Sequence, residues 1–368
     1  MSKVKVIIVG GGTGGHLYPG IALAQEFKRK DADNQILFVG TRRGLEQAIV
    51  PREGFALKTL WIDGLVGMPW HKVLMGLLKL PIALLQSFKI LVNFRPHLVV
   101  GVGGYVTGPF MLAAFLWRVP QLIQEQNVFP GTTNRILAYL VDRIAISFAR
   151  SEAYFPSKKV QLTGNPIRQE FLGGTKNGSR SSHSLGRTFH LLVFGGSQGA
   201  HQINVAMIEA LPHLESVKEC LQIVHQTGTQ DFAWVEENYQ KAGWEKTEIL
   251  NFIYDMAIKY NDADLIVCRA GATTLAEITV AGKPAIMIPF PLAVHNHQEI
   301  NAGVLEEIGA AQIIHNHELT GKRLAQAVLS LINTPEKLIE MGERGKELGR
   351  ADAAEQVVKM GYELIHVM

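Results

Sequence analysis

Val4-Lys5-Val6-Ile7-Ile8-Val9-Gly10-Gly11-Gly12-Thr13-Gly14-Gly15-His16 reads as a buried strand, a glycine turn and the start of a helix. The same grammar returns at His190-Leu191-Leu192-Val193-Phe194-Gly195-Gly196-Ser197-Gln198-Gly199-Ala200. Short apolar or β-branched runs bounded by Gly, Pro or Asn suit parallel strands covered on both faces. Further runs of this kind lie at 35–39, 98–102, 121–124 and 143–146, then at 222–225, 248–251, 265–268, 285–288 and 311–314. Amphipathic stretches such as 21–30 and 202–211 separate them. Alternating βα units imply right-handed crossovers and a doubly wound sheet, and a pattern that starts twice implies two of them. The expected class is therefore α/β, with two Rossmann-like doubly wound parallel-sheet domains facing a cleft. A Gly/Ser-rich, aperiodic stretch at 173–184 reads as a linker or surface loop. One large α/β domain carrying that stretch as an insertion is the alternative.

Composition narrows the classes. The 368 residues suffice for two full cores. Hydrophobic residues make up 47% and charged residues 19%, which excludes a disordered chain. Lys and Arg number 36 against 33 Asp and Glu, and a net charge of +3 does not mark a nucleic-acid binder. Only Cys220 and Cys268 are present, too few for a disulfide framework, so a reducing cytoplasm is favoured. The apolar run at the start is too short for a signal-peptide core. The greasiest window, 73–92, is interrupted by Lys79, Pro81, Gln86 and Lys89, so no membrane span is expected. The tail from 335 to 368 carries an apolar helical stripe suited to core packing.

The glycine turns are where chemistry is expected. Gly10, Gly12 and Gly15 satisfy the spacing of a dinucleotide fingerprint, and helix-start N–H groups favour an anion. No acid ends the second strand, whereas Arg42 and Arg43 follow it and suit a 2′-phosphate. An NADP-dependent oxidoreductase is thus a live reading. His16 lies outside that fingerprint. It is either a proton acceptor beside a ligand or a helix-start hydrogen-bonding histidine. Gly195 to Ala200 lacks the Walker lysine, and its amides with the Ser197 hydroxyl suit a phosphate. A third turn runs Cys268-Arg269-Ala270-Gly271-Ala272-Thr273-Thr274-Leu275-Ala276-Glu277. Glu277 there either accepts ribose hydroxyls or is solvated. The loop Gly101-Val102-Gly103-Gly104-Tyr105-Val106-Thr107-Gly108-Pro109 and the triplet Glu125-Gln126-Asn127 also follow strands, where α/β folds bind ligands. Glu125 is a second candidate base. His295/His297 and His315/His317 lack carboxylate or Cys companions at metal spacing, so no metal is expected. Residues 61–94 mix aliphatic and aromatic side chains with Lys72, Lys79 and Lys89. They read either as a surface for an anionic bilayer or as a core helix with lysine-decorated ends.

Six segments, GGGTGGHLYPG, GVGGYVTGP, EQN, GNPIR (Gly164 to Arg168), GGSQGA and RAGATTLAEI, fall in order across most of the chain. Together they resemble the MurG family of peptidoglycan glycosyltransferases, which turn lipid I into lipid II. The resemblance implies a GT-B fold. An acceptor domain would occupy 1–165 and a UDP-GlcNAc domain 166–345, with 346–368 packing back on the first. It also implies inverting, cofactor-free transfer by a peripheral protein at the cytoplasmic membrane face, with cell-wall and division proteins as partners.

Carried over residue by residue, Thr13, Gly14, Gly15 and Asn127 match positions that meet the transferred sugar or its phosphates, and Tyr105 is expected to bind substrate with them. Arg168 and Ser197 match nucleotide and phosphate contacts, and Ile253 the backbone that reads the uracil edge. Ala272, Thr273, Thr274, Leu275 and Ala276 match the phosphate-to-ribose loop that ends in Glu277. Gln298 matches a sugar-hydroxyl contact. Relatives can carry His before Glu-Gln-Asn, where this chain has Gln124, which ranks His16 first as base and Glu125 second. A non-catalytic, membrane-associated nucleotide binder is the third class.

Overall fold

The computed structural model describes residues 3–42, 44–62, 70–172 and 188–366, and of 70–78 and 294 the backbone alone. The expected linker at 173–184 and Arg43 lie outside the described residues. The chain forms two compact units, Met1–Gln169 with Arg350–Met368, and Glu170–Gly349, so the single-domain alternative falls.

Unit 1 is built on β1 (Lys5–Gly10), β2 (Gln35–Thr41), β3 (Ala56–Leu60), β4 (Leu98–Gly103), β5 (Gln121–Glu125), β6 (Arg143–Ile146) and β7 (Val160–Leu162). These pair in the order β3-β2-β1-β4-β5-β6-β7, every pair parallel. The helices between them are α1 (Gly14–Lys30), α2 (Glu46–Arg52), α3 (Trp70–Phe94), α4 (Thr107–Leu116) and α5 (Thr132–Leu137). Because β1 and β4 are covered on both sides, they read as unbroken apolar runs and are fully buried but for Lys5.

Side chains alternate across the sheet, so two cores form. Ile7, Val9, Val99 and Ile123 face α3 and α4, where Ala83, Leu91, Phe110 and Met111 are buried. Val6, Ile8, Leu98 and Val100 face α1 and a helix from the far end of the chain. That helix, α13 (Ala353–His366), reaches unit 1 after the chain recrosses at Gly349. It buries Val357, Val358 and Met360, and its end is tied by the ion pair of Glu355 with Lys30 at 2.6 Å. A Cβ on Gly361 would lie 2.7 Å from Leu98 Cδ2, so glycine is what lets α13 approach so closely.

Unit 2 repeats the plan with β8 (Phe189–Phe194), β9 (Leu221–Gln226), β10 (Thr247–Leu250), β11 (Leu265–Cys268), β12 (Ala285–Met287) and β13 (Ala311–Ile313). Their order is β10-β9-β8-β11-β12-β13, again parallel throughout. Its helices are α6 (His201–Ala210), α7 (Phe232–Lys241), α8 (Met256–Asp262), α9 (Ala272–Ala281), α10 (His297–Glu307), α11 (Gly321–Ile332) and α12 (Pro335–Leu348). In each unit the strand order reverses beside the first strand, between β1 and β4 and between β8 and β11. Such switch points, at the carboxyl ends of the strands, are where open α/β sheets take ligands.

Candidate active site

The glycine turns flank these two switch points. In unit 1 the turn after β1 meets the loop after β4. Gly104 sits at φ +87°, and a Cβ there would lie 2.7 Å from the Gly11 carbonyl oxygen. Thr107 Oγ1 donates to Gly103 O and Val9 O at 2.8 and 3.3 Å, stitching the loop to β1. Thr13 and Gly15 are exposed at the start of α1, Gly14 and Tyr105 half-buried.

A buried carboxylate that sequence reasoning missed organises this corner. Glu46, at the start of α2, is 1% exposed. Its Oε2 accepts from the Gly12 N–H at 3.0 Å, and its Oε1 accepts from the Thr41 N–H and hydroxyl, both at 2.6 Å. A Cβ on Gly11, Gly40 or Gly44 would strike that carboxyl group. The glycines therefore make room for the protein's own side chain. Glu46 also counts against the NADP reading, since it occupies a loop amide that a pyrophosphate would otherwise use.

His16 is half-buried, with Nδ1 3.3 Å from Gln126 Oε1. Its ring edge lies against Gly103, where a Cβ would come within 2.5 Å of Nδ1. Glu125 is placed differently. It is 1% exposed and both oxygens are taken: Oε1 by the Asn127 N–H and Nδ2, Oε2 by the Gly131 N–H and Asn134 Nδ2. Burial pushes its carboxyl pKa up, and those four donors oppose the shift. The donors fold the 125–131 loop around the carboxylate and carry Asn127 half-exposed on it. Arg168 belongs to unit 1, not to the 166–345 segment where the sequence reading put it, and its guanidinium stacks 4.3 Å from the Tyr18 ring centre.

In unit 2 two loops interlock. Gly199 (φ +76°) packs on the Thr227 carbonyl, and Gly228 (φ +80°) on the Gln198 carbonyl, each too close for a Cβ. Ser197 lies half-exposed on the first of these loops. Gln226 binds both neighbours, donating to Gly196 O at 2.8 Å and accepting from the Ile253 N–H at 3.0 Å. Ile253 thus has its N–H already engaged and would meet a base through its carbonyl. Helix α9 starts after Gly271 with Ala272, Thr273 and Thr274, while Leu275 is buried in the core and Ala276 half-buried. Glu277 is 6% exposed, and its Oε2 accepts from the Tyr260 hydroxyl at 3.4 Å. Gln298 Oε1 accepts from the Phe290 N–H at 2.9 Å, so its Nε2 is the end that donates.

Arg269 holds the corner beneath α9. Its guanidinium donates to Ile288 O, Pro289 O, Asn316 Oδ1 and Gln202 Oε1, and burial lowers its pKa to about 10. Asn316 is therefore a brace between His315 and His317. His315 pairs with Glu299, and no group of three or more His, Cys, Asp or Glu side chains is arranged to hold a metal among the described residues.

Comparison with known proteins gives this arrangement a lineage. Residues 6–146 match the glycosyltransferase family 28 N-terminal domain and residues 190–357 its C-terminal domain. The chain belongs to glycosyltransferase family 28. A family 28 relative from Syntrophus aciditrophicus, named UDP-N-acetylglucosamine–N-acetylmuramyl-(pentapeptide) pyrophosphoryl-undecaprenol N-acetylglucosamine transferase, is 48% identical over 364 residues, 99% of both chains. One of the same name from Geobacter sp. (strain M21) is 48% identical over 96% of this chain and 95% of its own. The crystal structure of Acinetobacter baumannii MurG superposes with a TM-score of 0.75 at 30% identity, covering 98% of this chain and all of that one. A UDP-GlcNAc 2-epimerase from Neisseria meningitidis shares the fold, with a TM-score of 0.69 at 13% identity over 98% of this chain and all of its own. The family 28 assignment makes each unit a GT-B half, and nothing in it supports an oxidoreductase.

Proposed function

We propose that this chain moves GlcNAc from UDP-GlcNAc to the 4-hydroxyl of N-acetylmuramyl-(pentapeptide) pyrophosphoryl-undecaprenol, making lipid II from lipid I with inversion. The observation that carries this reading is the near end-to-end identity of 48% to enzymes bearing that name. The glycine turns of both units supply the parts. In unit 2, helix-start N–H groups beside Ser197 and at Ala272, Thr273 and Thr274 meet the diphosphate, with Glu277 on the ribose, the Ile253 carbonyl on uracil and Gln298 on a sugar hydroxyl. In unit 1, Thr13, Gly14, Gly15, Tyr105 and Asn127 face the sugar and acceptor, and Arg168 carries positive charge toward phosphate.

His16 takes the proton from the muramyl 4-hydroxyl as that oxygen bonds to the anomeric carbon. The bond from that carbon to the β-phosphate oxygen breaks on the opposite side, and its electron pair leaves with UDP. One displacement converts an α-linked donor into a β-linked product without an enzyme nucleophile. Fixed N–H dipoles stabilise the charge that grows on the leaving diphosphate. Glu125, whose oxygens are saturated, shapes the loop that presents Asn127 and leaves the base role to His16.

The acceptor is lipid-linked, so the protein works peripherally at the cytoplasmic face of the membrane, where cell-wall and division proteins are its neighbours. Support comes from α3 and α4. Ile82, Leu85 and Val92 are exposed along one side of α3, as are Leu112, Phe115 and Leu116 on the adjoining α4 and Trp117 just after it. Lys89 and Arg118 are exposed around them, and Lys79 lies 5.4 Å from the Trp61 ring centre. The opposite side of α3 buries Ala83, Ser87 and Leu91, which suits a helix that packs on the core with one side and offers the other to the bilayer. Residues 63–69 and the side chains of 70–78, Lys72 among them, lie outside the described residues. No described helix is long and apolar enough to cross a membrane.

Thermal unfolding with nucleotides tests the donor side. UDP at about a hundredfold over its dissociation constant adds about 2.7 kcal/mol and raises the midpoint by several degrees. NADPH leaves it unchanged. Stabilisation by NADPH alone would contradict the proposal.

A further inference from the structure

Gln126 is buried to 1% exposure, carries no charge and lies between two residues with obvious chemistry. Its side-chain contacts determine more than its own position. The carboxamide nitrogen lies 2.7 Å from Val102 O and 3.3 Å from Gln124 O, and it also donates to Gln124 Oε1. Two of these three partners are backbone carbonyls, which only accept. The nitrogen end of the amide must therefore face them, and the oxygen end must face His16. That orientation follows from satisfying the partners, which is the rule by which amide ends are assigned.

Gln124 fixes the arrangement from behind. Its nitrogen donates to Glu125 O, Ser147 Oγ and Asn165 Oδ1 at 3.3, 3.0 and 3.2 Å, leaving its oxygen to accept from Gln126. Gln124 is fully buried, so neither amide has water to turn toward. A flip of Gln126 would set its oxygen against two carbonyl oxygens in a buried site, at the cost of at least one unmade hydrogen bond.

The consequence falls on His16. Gln126 Oε1 lies 3.3 Å from His16 Nδ1 and can only accept, so Nδ1 carries the ring proton. In the neutral imidazole the basic lone pair is then on Nε2. Gly103 backs the same ring edge, with no room for a Cβ beside Nδ1, so the nitrogen paired with Gln126 is the one turned into the protein.

We propose that Gln126 is the positioning residue that sets the His16 tautomer, with Gln124 locking the Gln126 amide, so that Nε2 is the atom that receives the acceptor proton. This rests on the reading of His16 as base. In this role a neutral amide does what a carboxylate does in other histidine pairs, orienting the ring without adding a negative charge beside the diphosphate.

The test is nitrogen NMR of the full-length protein with 15N-labelled histidine, at a pH where His16 is neutral, its signals identified by their loss in His16→Ala. The expected spectrum shows a protonated Nδ1 and an unprotonated Nε2. In Gln126→Leu the two nitrogen shifts move toward each other as the tautomers mix. Turnover falls by about tenfold or more, while KM for UDP-GlcNAc stays within about twofold. A wild-type ring protonated on Nε2 overturns the proposal, as does a Gln126→Leu ring that keeps a single Nδ1–H tautomer. If Gln126→Leu does not fold, the wild-type spectrum decides alone. An Nδ1–H ring together with undiminished turnover in His16→Ala would remove the base assignment and leave the tautomer assignment standing, so the two failures are distinct.

Discussion

His16 and Glu125 look interchangeable as candidate bases until their surroundings are compared. His16 is half-buried at a helix start with its Nδ1 beside Gln126 Oε1, whereas Glu125 is enclosed by four N–H donors. Replacing His16 by Ala should lower turnover by about 10²–10⁴-fold, the usual worth of a general base. UDP binding, measured by the thermal shift, should survive, because Ser197, Ile253, Ala272 to Thr274 and Glu277, assigned to the nucleotide, lie in unit 2 and Arg168 of unit 1 is left in place. At this scale the motif residues were legible, because small residues after an apolar run are conspicuous. Glu46 and Gln126 were not. Each is an ordinary polar residue whose importance arises from distant backbone converging on it. Gly11, Gly40 and Gly44 were the signal for Glu46, but three glycines spread over thirty-odd positions do not announce a shared neighbour in the sequence alone.

Within the second unit, β9 carries a histidine that makes a different prediction. His225 is fully buried, its Nε2 donating to Asn204 Oδ1 at 3.1 Å and its Nδ1 accepting from the Tyr239 hydroxyl at 3.2 Å. Burial lowers its pKa to about 3. An unfolded chain binds this proton near pH 6.5, so the unfolded state holds more protons between those values and stability falls as pH drops through that window. At pH 4.5 the loss attributable to this residue is about 2–3 kcal/mol. Urea unfolding of the wild type and of His225→Gln at pH 7.5 and 4.5 measures it: the variant should show a smaller acid-induced loss. Equal losses would place the acid sensitivity elsewhere.

The elements themselves were legible wherever both faces of a strand are covered, as in β1, β4, β8 and β11. Two strands escaped, β3 and β7, and both are sheet edges. In β3 exposed and half-buried positions alternate until the buried Leu60, and Lys58 and Thr59 interrupt the apolar run. In β7, three residues long, Gln161 and Leu162 are exposed. An edge strand needs only half the apolar residues of a central one, and so lacks the run that betrays the others.

Over the whole molecule, a modest net charge of +3 conceals a local concentration. Lys79, Lys89 and Arg118 lie beside the exposed aliphatic and aromatic side chains of α3 and α4. Each lysine near an anionic surface contributes about 1 kcal/mol, so removing two weakens binding by about thirtyfold, and reversing them weakens it further. Co-sedimentation of Lys79→Glu/Lys89→Glu with phosphatidylglycerol vesicles should show this loss, while UDP binding is unaffected. Unchanged sedimentation would return that face to ordinary protein surface.

The most direct measurement of the central claim is transfer of radiolabel from UDP-GlcNAc to a short-chain lipid I analogue by the purified full-length protein. Label should appear in a chloroform-soluble disaccharide product with a β linkage, and should be lost with His16→Ala. Label that stays in UDP-GlcNAc, or emerges only as free GlcNAc with the wild-type protein, would contradict the account.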